Sequence, residues 1–304
     1  MKREIKNISA SIRVRLLNLA KATNRNFNAV LLQYFQERFL YRLSISSYKE
    51  NFILKGALLF HVYEMPRNRP TKDIDFLGKA TENSEKNLKN IITEIISIPV
   101  KDGVQFESKS ISSEIIREQD DNNGIRIFCE ANLGQARKRL RFDFGFGDII
   151  IPDIQNIKFP TLLEDSLVPD LRVYPLYTVI AEKFEAIVRF NFTISRMKDF
   201  YDIYYLANHY PFDAAILKDA IVATFKNRKT DINNRNLIFS DDFKKNINKQ
   251  KQWIAFLKRL NIEIDLSFQD CTKYIENFIE PLFKENNNNK IWKTDKLSWT
   301  NISN

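Results

Sequence analysis

The spacing of apolar residues changes once along the chain, near Pro175, and this change limits the fold more than any other feature. From about 52 to 163, short β-rich runs such as DIDFL (73–77), RLRFDFGF (139–146) and KFPTLL (158–163) alternate with helical stretches at 57–64 and 84–97. After Pro175, apolar residues recur at helical spacing almost to the end. The pattern predicts an α/β (α+β) fold, in which a mixed sheet flanked by helices precedes a C-terminal helical bundle.

The same pattern predicts four segments along the chain. They are an N-terminal helical preface (1–50), a sheet domain (51–170), a C-terminal helical domain (171–285) and a flexible tail (286–304). Two helices are expected in the preface, the second of them capped by Asn26. The tail is rich in asparagine, and we expect Trp292 and Trp299 to be exposed there.

The composition excludes several classes of protein. Rossmann and P-loop folds require glycine-rich loops, and the chain has only seven glycines among 304 residues, which argues against both folds. With only two cysteines and two histidines in the chain, a tetrahedral zinc site built from these residue types is close to impossible, so any catalytic metal would be held by carboxylates, which favours magnesium. No apolar run approaches the roughly 20 residues of a membrane span, and the N-terminus lacks the pattern of a secretion signal. We therefore expect a cytoplasmic protein without a membrane partner.

Basic residues exceed acidic ones, which gives a net charge of +9 and a pI of about 9.3. The excess clusters at 67–72, 137–141 and 226–258. Such clusters indicate a polyanionic partner such as nucleic acid, although a solvated basic surface has the same composition.

Two aspartates, Asp73 and Asp75, lie two residues apart on a predicted strand. Alternate residues of a strand point to the same face, so both carboxylates project together while Ile74 points to the core. Aligned like charges repel each other unless a cation offsets them. Asp143 lies in the middle of another predicted strand, with aromatic neighbours on the opposite face. We therefore predict that the three carboxylates converge on divalent metal suited to phosphoryl transfer.

The residues just before this acid pair include several that can bind phosphate. Gly56 follows Lys55 at a strand end, where a glycine lets a triphosphate approach the backbone amides, although a tight turn also needs one. Thr71 is expected on the face of the acid pair, and its hydroxyl either contacts the γ-phosphate or caps the preceding turn. The guanidinium of Arg69 can clamp two phosphate oxygens or can be a surface charge.

Charged residues also fall on the apolar faces of two predicted helices. Lys183 lies within the apolar stripe of 176–190, and Asp199 and Asp202 lie on the apolar face of the next helix. These residues either form a buried ion pair that joins the helices or reach a ligand. Arg196 precedes the second helix and, like Arg69, is a candidate phosphate ligand or a surface charge.

The segment NFILKGALLFHVYEMPRNRPTKDIDFL (51–77) resembles the glycine-to-DxD signature of the DNA polymerase β-like nucleotidyltransferases. More narrowly, it is similar to the AbiEii/AbiGii abortive-infection toxin family, which has LKGG, then R-x-T-x-D-x-D, then a lysine helix and an acidic helix. In that order this chain has Lys55, Gly56, Arg69, Thr71, Asp73 and Asp75. Ala57 replaces the second glycine or serine common in the family. The resemblance covers most of residues 10 to 210.

The resemblance implies a magnesium-dependent nucleotidyltransferase that uses an NTP and releases pyrophosphate. Taken together with the strand and helix patterns, it makes Asp73, Asp75, Lys183 and Asp199 the predicted catalytic residues, and the strand pattern adds Asp143 to Asp73 and Asp75 as predicted metal ligands. The predicted nucleotide-binding residues are those of the motif and the lysine helix, with Arg196 and Asp202 added from the helix pattern: Lys55, Gly56, Arg69, Thr71, Lys183, Arg196 and Asp202. The implied protein is the toxin of a toxin–antitoxin system that modifies an RNA such as a tRNA 3′ end and is restrained by a cognate antitoxin.

Two other functions stay open at this point. An enzyme of the same fold can act on a protein side chain or a small molecule, and nothing in the sequence excludes this. A non-catalytic module that binds RNA or an antitoxin is the more distant alternative. Loss of the metal-binding acids would be expected in such a module, whereas Asp73 and Asp75 are both present.

Overall fold

The computed structural model describes residues 7–63, 71–116, 124–284 and 289–302. The chain folds into two compact units. Unit 1 comprises Met1–Gly147 and Gln155–Tyr174, and unit 2 comprises Asp148–Ile154 and Pro175–Asn304. Among the residues described, no helix is long and apolar enough to cross a membrane.

A seven-stranded mixed sheet forms the centre of unit 1, with the strands in the order β3-β4-β5-β2-β1-β7-β6. Its strands are β1 (Phe52–Lys55), β2 (Asp73–Gly78), β3 (Val104–Ile116), β4 (Gly124–Leu133), β5 (Ala136–Phe146), β6 (Gln155–Lys158) and β7 (Asp170–Val173). Strand β2 runs antiparallel to β1 and parallel to β5. The mixed sheet confirms the predicted fold class.

Alternation of side chains gives the two central strands one apolar and one polar face. On β2, Ile74 and Phe76 are buried, and on β5 so are Phe142 and Phe144. The rings of Phe76 and Phe144 stack with centroids 5.6 Å apart, which ties the two strands together on the core side. The alternate residues, the aspartates among them, therefore lie on the opposite face.

Three helices flank this sheet, and their starts are capped by short polar side chains. They are α1 (Ile8–Ala22), α2 (Phe27–Ser44) and α3 (Glu85–Ser97). The Asn26 side chain accepts a hydrogen bond from the Asn28 amide at 2.8 Å, which confirms the predicted cap of the second helix. On α2, the Phe39 ring lies 4.3 Å from that of Phe142, so this helix covers the apolar face of the sheet.

Two local predictions in unit 1 were correct only in part. The stretch after Gly56 forms a 3-10 helix, Ala57–His61, instead of the helix predicted over 57–64, whose last residue lies outside the described part. The run 158–163 forms no strand beyond Lys158, because Pro160 has no amide hydrogen for a ladder. The chain forms edge strands at Gln155–Lys158 and Val104–Ile116 instead.

Unit 2 is mainly helical, as the sequence predicted. Its helices are α4 (Leu176–Phe190), α5 (Met197–His209), α6 (Ala214–Asn227), α7 (Arg235–Ile238), α8 (Asp241–Lys244), α9 (Ile247–Arg259) and α10 (Phe268–Ile279). A small sheet with the order β10-β9-β8 accompanies them. Its strands are β8 (Phe212–Asp213), β9 (Lys290–Lys293) and β10 (Ser298–Asn301).

The C-terminal hairpin corrects the expectation for the tail. Trp292 is buried, and its indole nitrogen donates to the Ala207 carbonyl at 2.6 Å, so its predicted exposure was wrong. Trp299 is half-buried and stacks on Phe278 with ring centroids 5.6 Å apart. Both indole rings pack against Phe278 on α10, and the polar composition of the segment gives no indication of this contact. Residues 286–288 and 303–304 of the predicted tail lie outside the described residues.

Candidate active site

Three aspartates share the polar face of the sheet in unit 1. In the parallel pairing of β2 with β5, Asp75 lies opposite Asp143, and Asp73 lies opposite Arg141. The side chains of Asp73 and Asp143 are 25% and 17% exposed, so both are shielded but reachable from solvent. The structure thus brings the three predicted acids to neighbouring positions on one face.

Two arginines pair with two of these acids, and the sequence had indicated only that one of them, Arg141, lies in a basic cluster. Arg126 on β4 binds Asp143 through two hydrogen bonds, of 2.7 Å from Nε and 2.9 Å from Nη2. These bonds raise the pKa of Arg126 above its ordinary value despite partial burial, with a further contribution from Glu114. Arg141 contacts the Oδ2 atom of Asp73. Arg141 lies two residues before Asp143, so strand alternation was the signal that could have identified it.

The carboxylates of Asp73 and Asp75 fit a hard divalent cation better than the full set of three does. The Oδ1 atom of Asp73 is buried and has no hydrogen-bond partner among the residues described. An orphaned carboxylate oxygen is costly, and a magnesium ion would satisfy it. Within the described ranges no group of three or more acidic, histidine or cysteine side chains is arranged to hold a metal. Both oxygens of Asp143 are held by Arg126 instead.

Gly56 supports the Asp75 carboxylate from the neighbouring strand. Its backbone has φ +71° and ψ −158°, a conformation that glycine adopts almost alone. A Cβ atom at this position would lie 2.0 Å from the Oδ2 atom of Asp75. Lys55 lies opposite Asp75 in the β1–β2 register, with its Nζ atom 5.3 Å from the centre of the Tyr174 ring. The glycine therefore gives the carboxylate the space it occupies.

The segment before β2 contains the two remaining predicted phosphate ligands of unit 1. The backbone carbonyl of Thr71 accepts a hydrogen bond from Gln36 Nε2 at 3.1 Å, which anchors the entry to β2 on helix α2. Thr71 precedes the first residue of the strand by two positions. Arg69 lies outside the described residues.

Unit 2 contains the predicted lysine and its acids as one cluster. Lys183 Nζ on α4 lies 2.9 Å from Asp199 Oδ1 and 2.6 Å from Asp202 Oδ2, both on α5. Both aspartates are fully buried, so the prediction that acids point inward is confirmed. Arg196 Nε lies 2.7 Å from Asp199 Oδ2, and 48% of the Arg196 side chain is exposed.

The ion pairs keep the buried Asp199 ionised. Burial raises the pKa of a carboxyl, but Lys183, Arg196 and Lys198 together outweigh this effect and lower the pKa of Asp199 below its ordinary value. This geometry is that of a buried ion pair joining α4 and α5. Lys183 keeps 14% of its side chain exposed, so the pair also orients an ammonium group at the surface of unit 2.

Comparisons with known proteins place the chain in a family. Among curated protein sequences none matches this chain. Among solved structures, it is similar to a candidate nucleotidyltransferase from H. pylori, with 17% identity and a TM-score of 0.47, and to JHP933 from Helicobacter pylori, with 15% identity and a TM-score of 0.41. Each likeness covers 84% of this chain and 98% of the other, but at these scores neither bears on function. The family profile described as nucleotidyl transferase AbiEii toxin, type IV toxin–antitoxin system, matches residues 38–276, so the chain belongs to this family of nucleotidyltransferases.

Proposed function

We propose that this protein is a toxin that uses magnesium to transfer a nucleotide from an NTP to an RNA acceptor, such as the 3′ end of a tRNA. Its membership of a type IV toxin–antitoxin family supports the toxin role and a cognate antitoxin as partner. The net charge of +9 supports a polyanionic acceptor. A protein or small-molecule acceptor has no specific feature in its favour.

One observation supports this chemistry above the others. The Asp75 side chain on β2 lies beside Gly56, which follows the end of β1, and Asp75 is opposite Asp143 on β5. Arg126 and Arg141 offset part of the repulsion among these anions, but the buried Oδ1 atom of Asp73 has no hydrogen-bond partner among the residues described, which is costly without a cation. This arrangement is useful where a cation and a triphosphate must be held together. Bound magnesium would supply the positive charge that offsets charge developing on the phosphoryl oxygens.

The residues of this chain would divide the remaining tasks. Asp73 and Asp75 would hold the metal, and Asp143 would join them on release from Arg126. The triphosphate would be gathered by Lys55, Gly56, Arg69, Thr71, Lys183 and Arg196. Asp199 and Asp202 would hold the Lys183 ammonium in position through their contacts of 2.9 and 2.6 Å with its Nζ atom.

In the proposed reaction, an acceptor hydroxyl oxygen attacks the α-phosphorus of the NTP in line with the leaving group. A bond forms between this oxygen and the α-phosphorus, and the bond from the α-phosphorus to the oxygen bridging to the β-phosphorus breaks. Pyrophosphate leaves, and the hydroxyl proton passes to solvent. The product is an acceptor extended by one nucleoside monophosphate.

The test is incubation of purified protein with total tRNA, magnesium and each NTP labelled at the α- or the γ-phosphate. We expect label in RNA from the α-position only, loss of label transfer with a metal chelator, and none with the Asp73→Asn/Asp75→Asn double variant. Lys273→Gln, an exposed substitution on α10, is the matched control with full transfer. Label appearing in protein while RNA stays unlabelled would overturn the proposed acceptor.

A further inference from the structure

A cavity of about 410 Å³ in unit 2 lies between the start of α5 and helix α9. Its lining includes Arg196, Met197, Lys198, Gln252, Phe256 and Arg259, and no acidic side chain is among the residues that line it. The volume falls in the range of small-molecule pockets, roughly 300–1,000 Å³, and is sufficient for one nucleotide. The cavity therefore combines a nucleotide-sized space with three cationic side chains.

Helix α9 is basic along its whole length. Its sequence, INKQKQWIAFLKR, contains four cations and no aspartate or glutamate. Lys251, Lys258 and Arg259 are exposed and form no ion pair with any residue that the structure describes. Uncompensated cations on one helix repel each other and favour an anionic partner.

The helix period places these charges around the cavity. Gln252, Phe256 and Arg259 recur at spacings of four and three, so they share the side of α9 that lines the cavity. Lys251 and Lys258 are seven residues apart and lie on the adjoining side. A chain of phosphates entering the cavity would thus pass further cations on the same helix.

The cavity wall is held rigidly. Lys249 is buried, and its Nζ atom donates to the Ile194 carbonyl just before α5. The rings of Tyr201 on α5 and Phe256 on α9 lie 5.9 Å apart. These contacts fix α9 against the start of α5, which reduces the ordering cost of binding a ligand between them.

We propose that this cavity binds a phosphate-bearing nucleotide of the polynucleotide acceptor, with Arg259 as a phosphate ligand and Lys251 and Lys258 contacting the continuing backbone. The proposal rests on the proposed function, because it assumes that the acceptor is RNA. Guanidinium groups bind phosphate oxygens in pairs, and Gln252 adds an amide for a base or sugar. The floor formed by Met197 and Phe256 is apolar, as a base requires.

The test measures RNA binding by itself. Fluorescence anisotropy of labelled tRNA is recorded over a range of salt concentrations with the full-length protein in the absence of NTP, so that no transfer alters the RNA. Arg259→Gln should weaken binding about tenfold and reduce the slope of log K against log salt by about one. Lys251→Gln/Lys258→Gln should reduce it by about two, whereas Lys273→Gln, an exposed substitution on α10 outside the basic clusters, should leave it unchanged.

Further measurements separate this site from a structural effect. Arg259→Lys should keep the salt slope, because the charge remains. In the otherwise unaltered enzyme, Arg259→Gln should raise KM for RNA while KM for the NTP stays the same. Thermal melting of each variant should match the parent, since the replaced side chains are exposed.

The outcomes distinguish the two proposals. Loss of RNA binding by the α9 variants together with no nucleotide transfer by the unaltered protein would support the cavity and refute the proposed function. If the α9 variants showed normal transfer, an unchanged KM for RNA and unchanged anisotropy, RNA binding at the cavity would be refuted while the proposed function would stand. Retained RNA binding with lost binding of the cognate antitoxin would also refute it, because the cationic surface would then serve an acidic protein.

Discussion

A methyl group on residue 56 would lie 2.0 Å from Oδ2 and 2.6 Å from Cγ of Asp75. The Gly56→Ala variant must therefore move the carboxylate or the strand that bears it. The backbone strain of a non-glycine residue in this conformation costs about 1–3 kcal/mol, and overpacking costs about as much again. We expect the free energy of unfolding of unit 1 to fall by about 2–6 kcal/mol. Displacement of Asp75 by about 1 Å should lower nucleotide transfer about 100-fold.

Urea unfolding followed by far-UV circular dichroism measures the loss of stability. The three tryptophans of the chain, Trp253, Trp292 and Trp299, belong to unit 2, so tryptophan fluorescence does not report directly on unit 1. Gly134→Ala is the matched control, because Gly134 also has a positive φ of +59° but its Cβ would meet nothing nearer than Ser9 Cβ at 3.9 Å. It should cost about 1–2 kcal/mol from backbone strain alone and leave transfer intact.

A double-variant cycle isolates the overlap with the carboxylate. In the Asp75→Ala background, the Oδ2 and Cγ atoms are absent, so Gly56→Ala should cost less than it does beside Asp75. Equal costs in both backgrounds would show that the overlap contributes nothing. Wild-type transfer by Gly56→Ala would refute the reasoning altogether, because Asp75 would then tolerate a shift.

Three further predictions follow from the charged clusters. Asp75→Asn should lower nucleotide transfer about 1,000-fold while the urea midpoint stays unchanged or rises, because one of two facing anions is neutralised; a lower midpoint would contradict this. Asp199→Asn should lower the free energy of unfolding by about 3 kcal/mol at pH 7, because it removes a buried partner of Lys183. Because the pKa of Asp199 is lowered in the folded state, the greater stability of the wild type over Asp199→Asn should disappear as the pH falls below the ordinary aspartate range. If urea titrations gave the same difference in stability at every pH, the ion pair would be refuted. Arg126→Gln should release Asp143 and tighten magnesium binding in calorimetry; unchanged affinity would show that Asp143 is not a ligand.

Sequence periodicity was sufficient for the parts of the protein that depend on local geometry. The side chains of Asp73 and Asp75 share a face because a strand has a period of two, and Ile74 is buried for the same reason. The inward Lys183 and Asp199 could likewise be inferred from a helical period. Each of these inferences needs only neighbours in the sequence.

Edge strands and the C-terminal hairpin were missed because their residues are polar. Strand β3 (Val104–Ile116) contains many polar and charged residues among its apolar ones. An edge strand tolerates this composition because it pairs with a neighbouring strand on one side only. Trp292 is surrounded by polar residues in the sequence, yet it is buried against Phe278, with ring centroids 4.8 Å apart. No local pattern reveals a partner contributed by a distant helix.

The sequence by itself determined the fold class, the face on which each acid lies and the segment that resembles a nucleotidyltransferase signature. Only the tertiary structure decided which cations meet those acids: Arg126 binds Asp143, and Arg141 contacts Asp73. It also decided that Gly56 gives space to Asp75 and that α9 lines a cationic cavity. The physical reason is the separation in sequence over which each property is determined. The face on which a residue lies follows from the period of its own helix or strand, whereas its contact partner depends on the register and packing of elements far apart in the chain.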